Sequence, residues 1–394
     1  KVSKTSLLMW YCFITLLWFC LTFLVILPIL CHRLKYSIYY GGLGTRNITE
    51  ENLRMQEDNK LRLLTAKKEF RNMIKNQIVR KPKNFTDIII TVIAVSRGTT
   101  NYNPFYLTQT VSKLLQLLQK DSTILEFTYG LMVCNVDSLP NAFTEAKEIS
   151  NFIHTTVKYT KRLNQVINRF EKEKQDYVYC LEKSLQFQSK YILLVEDDAY
   201  PTERMLSVLE YSIQNIFERK FSEFSYQQRK VAYLKMYHPE RLLGFISTEI
   251  YRLFELAGAI LLLLTVLIAL RKKCMHGVTW RFITLTGVYT VFLALAIGRP
   301  NLISIRTVSP YFHSFVTAPS CCTPANLYSY KGAKAVIASL SNKDSYPGHA
   351  KDALLDEFLK EAEYTAMYVE PNIFKHIGQY SSLRQGKVLD PYVV

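Results

Sequence analysis

Acidic residues are scarce in this chain of 394 residues: 33 Asp and Glu stand against 49 Lys and Arg, a formal net charge of +16. Internal repeats and low-complexity tracts are missing too, so nothing supports a repeat array or a compositionally biased tail. Cysteine is limited to eight positions. Cys12, Cys20 and Cys31 lie in or at a first apolar run and Cys274 in a basic linker, which leaves Cys134, Cys180, Cys321 and Cys322. Their spacing is too loose for a structural zinc site. In an oxidising compartment these four can form one or two disulfides, with the pairing open.

What the chain does contain is concentrated apolar sequence. Leu7 to Cys31 carries no charged residue, and at about 1.5 Å of rise per residue a helix of that length crosses a hydrocarbon core of about 30 Å. The run is too long for a signal-peptide core and no clear small-residue cleavage site follows it. Two later runs, Leu256 to Leu270 and Phe282 to Ile297, flank a basic linker, Arg271 to Arg281. Short Lys- and Arg-rich loops stay in the cytosol, so the pair reads as a hairpin entering from the far side and returning. Two buried core helices of a soluble domain are the competing reading.

This topology places both sequons, Asn47-Ile48-Thr49 and Asn84-Phe85-Thr86, in the lumen. The expected organisation is a cytosolic tail (1–6), a span (7–31), a lumenal stem (32–84), a first lumenal part (85–252), a span (253–270), a cytosolic loop (271–281), a span (282–298) and a second lumenal part (299–394). Nucleic acid is not an expected partner of a lumenal chain. The basic excess suits phosphate headgroups or a nucleotide diphosphate.

Inside the first lumenal part the pattern changes to alternating strand and helix. Ile88 to Val95 is too densely apolar for a half-exposed strand and reads as a parallel strand covered on both faces. Further strands are expected at Phe127 to Val136, at Tyr191 to Glu196 and near Val231 to Met236, with helices ending near Lys120, spanning roughly Asn164 to Gln188, and following Pro201. Helices near Gly332 to Leu340 and Asp352 to Glu363 and an extended segment around Tyr368 to Phe374 follow the hairpin. The expected fold class is a doubly wound α/β sheet, interrupted by the membrane hairpin, with ligands beyond the carboxyl ends of its strands.

The most informative stretch is Tyr191-Ile192-Leu193-Leu194-Val195-Glu196-Asp197-Asp198. A buried strand closing on three acids makes a divalent-cation site at a sheet edge, and a hard cation there can neutralise a leaving diphosphate. Period-two alternation puts Glu196 and Asp198 on one side of the pleat. Asp198 is assigned to direct coordination, Glu196 to the ribose or a metal-bound water, and Asp197 to their support. The plain alternative is a solvated acidic turn capping the next helix.

Glu196-Asp197-Asp198 resembles the D-x-D element of GT-A glycosyltransferases, with Glu196 in place of the first Asp. Lys174-Gln175-Asp176-Tyr177 followed by Tyr191 to Asp198 is similar to the Golgi N-acetylglucosaminyltransferase IV family, as is the terminal run Pro371 to Leu383. The hairpin inserted between Phe245 and Cys321-Cys322-Thr323-Pro324-Ala325 departs from that family. With the first span and the acidic run, it resembles the Golgi transferases that add N-acetylgalactosamine (GalNAc) to glycosylphosphatidylinositol (GPI) anchors.

That resemblance implies a GT-A-like sheet in the Golgi lumen, UDP-GalNAc as donor, Mn²⁺ as cofactor, a GPI mannose as acceptor and an inverting reaction. Ser96, Arg97, Asn135 and Asp137 would border the uridine and diphosphate, joined by Lys174, Asp176 and Tyr177 and by Glu196 and Asp197. Arg97 is equally readable as a surface residue, and Lys174, Asp176 and Tyr177 as packing or ion-pair residues. His376 is either a third metal ligand beside Glu196 and Asp198 or a hydrogen-bonded structural residue. Asp352 and Asp356 share one helix face, and Asp352 is the preferred base, although helix capping explains it as well. Two rival functions remain at this stage, an N-acetylglucosaminyltransferase acting on N-glycans and a calcium-binding membrane scaffold.

Overall fold

A computed structural model describes residues 4–40, 48–75, 86–97, 102–121, 123–161, 168–218, 230–245, 250–270, 280–380 and 388–390. Both sequon asparagines, the end of the expected stem and most of the basic linker lie outside the described residues. The chain divides into two compact units, Lys1–Glu50 with Pro239–Ile305 and Glu51–His238 with Arg306–Val394.

The first unit is helical. Lys4–Leu21 continues through a π-helical turn, Thr22–Ile26, into Leu27–Cys31, and Phe13–Cys31 is long and apolar enough to cross a membrane. The two later apolar runs form helices Ile250–Leu270 and Trp280–Ile297. Leu253 and Leu256 cluster with Ala294 and Val291, which sets the two helices antiparallel. Tyr289 packs edge-on against Phe19 and Phe23, and its hydroxyl donates to Thr22 Oγ1 at 3.0 Å. Beyond Ile297 the chain turns sharply, so that Thr284–Ile297 and Arg299–Val308 meet at 96°.

The second unit is a three-layer α/β/α fold. Its helices are α1 (Ile48–Lys75), α2 (Tyr106–Lys120), α3 (Thr144–Ser150), α4 (Arg169–Leu185), α5 (Met205–Ile213), α6 (Tyr330–Ser341) and α7 (Lys351–Glu361). Its strands are β1 (Ile88–Ala94), β2 (Tyr129–Asn135), β3 (His154–Val157), β4 (Tyr191–Glu196), β5 (Ala199–Pro201), β6 (Lys230–Lys235), β7 (Ser314–Thr317), β8 (Ala325–Ser329), β9 (Tyr364–Glu370) and β10 (Phe374–His376). Eight strands form one sheet in the order β3-β2-β1-β4-β8-β6-β9-β7, and β10 pairs with β5 separately.

Alternation along the strands explains the layers. Ile88, Ile90 and Val92 of β1 and Leu193 and Val195 of β4 pack with Leu107, Val111 and Leu114 of α2 and Leu206 and Leu209 of α5. Ile89, Ile192 and Leu194 point the other way, against Tyr177 and Leu181 of α4, Val336 of α6 and Leu354 and Phe358 of α7. Full coverage of both faces is why these strands read as unbroken apolar runs.

The expected α/β class holds, and the sheet is large, mostly parallel and mixed. β3, β2, β1 and β4 are parallel, but β8 runs antiparallel to both β4 and β6. The physical reason lies in how β8 is entered. The Cys321-Cys322-Thr323-Pro324 turn sits where β4 stops, with Glu196 N donating to Pro324 O at 2.7 Å, so the chain can only run back along β4. The helix expected in the stem region packs on this unit. α1 buries Phe70 and Met73 in the core, and its Asn59 donates to Tyr102 Oη at 2.9 Å and Pro104 O at 3.2 Å.

Candidate functional site

Register brings sequence-distant residues to one edge. Ala94 is paired with Asn135, Asn135 with Val157, and Ile93 with Glu196, so four parallel strands release their polar followers side by side. Asp137 Oδ2 accepts from Ser96 N at 2.7 Å and its Oδ1 from Leu139 N at 2.6 Å, while Asn135 Oδ1 accepts from Asp137 N at 3.0 Å. Ser96, Asn135 and Asp137 are therefore neighbours. The side-chain oxygens of Asn135 and Asp137 shape the loops through Asx-type turns.

The acids after β4 do not follow the alternation expected of them. β4 ends at Glu196 and the chain turns through Asp197 and Asp198, so the two-residue periodicity no longer applies. Asp198 turns toward Arg97 and His376. Its Oδ2 pairs with the Arg97 guanidinium and lies 3.1 Å from His376 Nε2, and Arg97 also reaches Asp197 Oδ1 at 2.7 Å. His376 arrives on β10, which pairs with β5 and places His376 opposite Ala199. Ile377 N then donates to Asp198 O at 2.9 Å. The strap passes so close that a Cβ on Gly378 would lie 1.9 Å from Asp198 Oδ2, a contact that glycine alone avoids.

Burial works against charge on Asp198, yet Arg97 and His376 outweigh it and hold the carboxyl below the usual carboxylate range. Burial pushes Asp197 the other way, upward, opposed by Arg97. Asp198 Oδ1 is buried without a hydrogen-bond partner. An ionised carboxylate with an orphaned oxygen beside an imidazole is a donor set that suits Mn²⁺. Glu196 is not gathered with them: the ligand atoms of Glu196, Asp198 and His376 do not all lie within 4.8 Å of one another.

Glu196 keeps the parity of Ile192 and Leu194 and faces α4 and α7. Its Oε1 accepts from Lys351 Nζ at 2.8 Å and from Thr323 Oγ1 at 3.4 Å, and Lys351 also reaches Glu173 at 2.6 Å. Burial disfavours the Lys351 charge, but Glu173, Glu196 and Asp352 together raise its pKa. Asp352, next along α7, accepts from Cys322 N at 2.9 Å and Thr323 Oγ1 at 3.3 Å. Thr323 thus touches both the strand-end acid and the preferred base. Asp356 lies one turn further on, where its charge acts on Tyr233 and Lys235.

The turn beneath Asp352 is unusual. Cys321 and Cys322 are joined to each other by a disulfide, and both have left-handed backbone, with φ of 78° and 68°. Lys235 Nζ donates to Pro319 O at 2.7 Å and Cys321 O at 2.9 Å, fastening the loop to β6. The remaining pair, Cys134–Cys180, ties β2 to α4. A trio of ligand-type atoms does exist at Cys321, Cys322 and Asp352, but two of its members are spent in the disulfide.

Of the upstream triad, Asp176 reaches the sheet edge. It pairs with Lys158 at 2.8 Å and Lys172 at 2.5 Å and accepts from Tyr159 Oη at 2.9 Å, while Lys172 donates to Val136 O at 2.9 Å. Lys174 is turned away, paired with Glu171 at 2.7 Å and donating to Lys343 O at 2.5 Å. Tyr177 is 1% exposed, and its hydroxyl lies 2.6 Å from that of Tyr328. For Lys174 and Tyr177 the contacts are those of packing and ion pairing. Sequence reasoning missed Lys351, Glu173, Thr323, Lys235 and Gly378. Adjacency to Asp352 and Cys322, and nearness to His376, was the one signal for Lys351, Thr323 and Gly378; Glu173 and Lys235 had none, because their partners lie in distant parts of the chain.

A family model described as GPI-N-acetylgalactosamine transferase PGAP4 matches residues 88–375. Among solved structures, S. aureus TarS 1–349 is 12% identical over 38% of this chain and 34% of its own, with a TM-score of 0.23. The same protein with UDP-GlcNAc gives 11%, 38%, 33% and 0.23, and a further TarS structure 14%, 32%, 19% and 0.21. The chain thus spans about a third or less of the structures it matches. Superposition at that level carries no argument about this chain.

Proposed function

This chain belongs to the GPI-N-acetylgalactosamine transferase PGAP4 family, whose model matches residues 88–375, and from that premise we propose that it transfers GalNAc from UDP-GalNAc to the first mannose of GPI anchors, with inversion and with Mn²⁺. The observation that carries the reading is Asp198: a buried, ionised carboxylate with one orphaned oxygen, held beside His376 where the parallel strands end.

Asp198 and His376 would hold the cation, with Glu196 on the ribose or a metal-bound water. A bound metal would supply Lewis-acid stabilisation of the diphosphate oxygen. Arg97, while paired with the two aspartates, would offer its remaining N–H groups to the phosphates. Asp137 and Asn135 shape the loop on which the uridine rests, next to Asp176. Asp352 accepts the mannose hydroxyl proton while that oxygen attacks the anomeric carbon opposite the departing UDP. General-base help of this kind is worth roughly 10²–10⁴-fold. Cys322 N and Thr323 aim the carboxylate, and Lys351 keeps Glu196 in place.

The enzyme sits in the Golgi membrane. The first span and the inserted hairpin, 253–298, hold the catalytic unit in the lumen near a lipid-anchored acceptor, raising its effective concentration. A donor panel tests the whole reading. Solubilised protein is given a water-soluble GPI-glycan acceptor, each UDP-sugar, and either Mn²⁺ or chelator. GalNAc transfer that needs the metal and vanishes in Asp198→Ala is expected. Turnover with UDP-GlcNAc alone would make the chain an N-acetylglucosaminyltransferase, and no turnover with any donor would favour the calcium-binding scaffold.

A further inference from the structure

After the last apolar helix the chain forms two short 3-10 turns, Ser304–Val308 and Pro310–Phe312. Ile305, Val308, Tyr311 and Phe312 are 67%, 63%, 75% and 60% exposed. Four large apolar side chains left open within eight residues are far more than the scattered singles of an ordinary soluble surface. Ile305 and Val308, three apart, fall on one side of the first turn, and Tyr311 and Phe312 belong to the second, beyond an extended Ser309. The charged member of the run turns back instead: Arg306 donates to Ser314 Oγ at 2.8 Å and lies 4.0 Å from Glu370. Tyr311 is not loose either, since its ring packs edge-on against Tyr211 at 5.4 Å.

We propose that residues 305–312 form an apolar foot that rests in the lumenal interface of the bilayer. The inference rests on the reading that Trp280–Ile297 crosses the membrane. Gly298 follows that helix with φ of 89° and the chain bends by 96°. A helix along the membrane normal followed by a right-angle turn runs in the membrane plane. The foot begins within ten residues of the end of the span, so it cannot lie far from the headgroups. Tyr and Phe belong at that depth, with ring in acyl chain and hydroxyl at the headgroups. The occupant is therefore lipid.

The test uses the full chain in phosphatidylcholine nanodiscs, with Trp10, Trp18 and Trp280 replaced by Phe and one tryptophan returned at a chosen site. Phe312→Trp is expected to emit blue-shifted light, to lose at least half its intensity in nanodiscs of lipid brominated near the top of the acyl chain, and to resist acrylamide. Acrylamide quenching without bromolipid quenching would overturn the proposal. So would blue emission untouched by bromolipid, the sign of a protein partner on this face. Val288→Trp, on the exposed side of Trp280–Ile297 itself, separates the two readings. If it is quenched by bromolipid and Phe312→Trp is not, the foot fails alone; if neither is quenched, the span fails first and the foot with it. Combined Val308→Ser, Tyr311→Ser and Phe312→Ser should slow transfer to a bilayer-embedded acceptor about tenfold while sparing the water-soluble glycan. Equal rates on the bilayer acceptor would refute the foot.

Discussion

Replacing Gly378 by alanine adds one methyl group, and the geometry says where it goes. The new Cβ would stand 1.9 Å from Asp198 Oδ2, 2.7 Å from its Cγ and 3.0 Å from its Cβ. Restoring even a 3.0 Å separation requires a shift of 3.0 − 1.9 = 1.1 Å in the strap or the carboxylate. The carboxylate is poorly placed to yield, because Arg97 and His376 hold the same oxygen, the latter at 3.1 Å. Overpacking of this kind costs roughly 1–3 kcal/mol of stability. If Asp198 holds the cation, a displacement near 1 Å costs about 100-fold in rate, which is about 2.7 kcal/mol of transition-state stabilisation. Steady-state transfer assays at saturating Mn²⁺, with a melting curve on the same sample, read both effects. A variant with kcat/KM within threefold of wild type and an unchanged Tm would refute the claim that the strap fixes Asp198 for catalysis.

Other outcomes follow from the same contacts. Asp352→Asn keeps the size and the hydrogen bond from Cys322 N but cannot take a proton, so kcat should fall roughly 10²–10⁴-fold with UDP affinity unchanged by calorimetry; full activity would move the base elsewhere. Lys351→Met leaves Glu173 and Glu196 partly buried without their cation and should destabilise the fold by about 3–5 kcal/mol, a loss that adding Glu173→Gln should partly reverse in urea unfolding. Glu145 is 4% exposed, and burial pushes its carboxyl up to about 7. Because the folded state then holds a proton that the unfolded state releases near pH 4.5, stability should fall as pH rises from about 4.5 to 7, by roughly 3 kcal/mol in all. Glu145→Gln should flatten that slope, and an unchanged slope would show that another group sets it.

How much of this was readable from residue order varies with the length of each signal. β1 and β4 were plain, since strands covered on both faces must be apolar at every position, and the acids that close β4 marked the site. β3 and β7 were missed because each has four residues of intermediate to full exposure and no apolar run to announce it. β8 hid behind Cys321-Cys322-Thr323-Pro324, where proline and paired cysteines read as loop. Helices α4, α6 and α7 were legible from their apolar periodicity, with ends differing by a few residues.

The candidate site shows where that legibility stops. Local pattern marked Asp198 and narrowed the lumenal cysteines to four, and the family resemblance added His376 and Asp352. Which of them meet was a matter of long-range pairing. β10 pairs with β5 and so sets His376 against Asp198, across 178 residues (376 − 198); Cys134 joined Cys180 because β2 and α4 pack in adjacent layers. Glu196 and Asp198 parted because the strand ended at Glu196, two residues earlier than the alternation required. Local propensity describes a residue's own backbone, whereas the direction of a side chain at an element's end depends on the neighbours that stop the element, and those come from elsewhere in the chain.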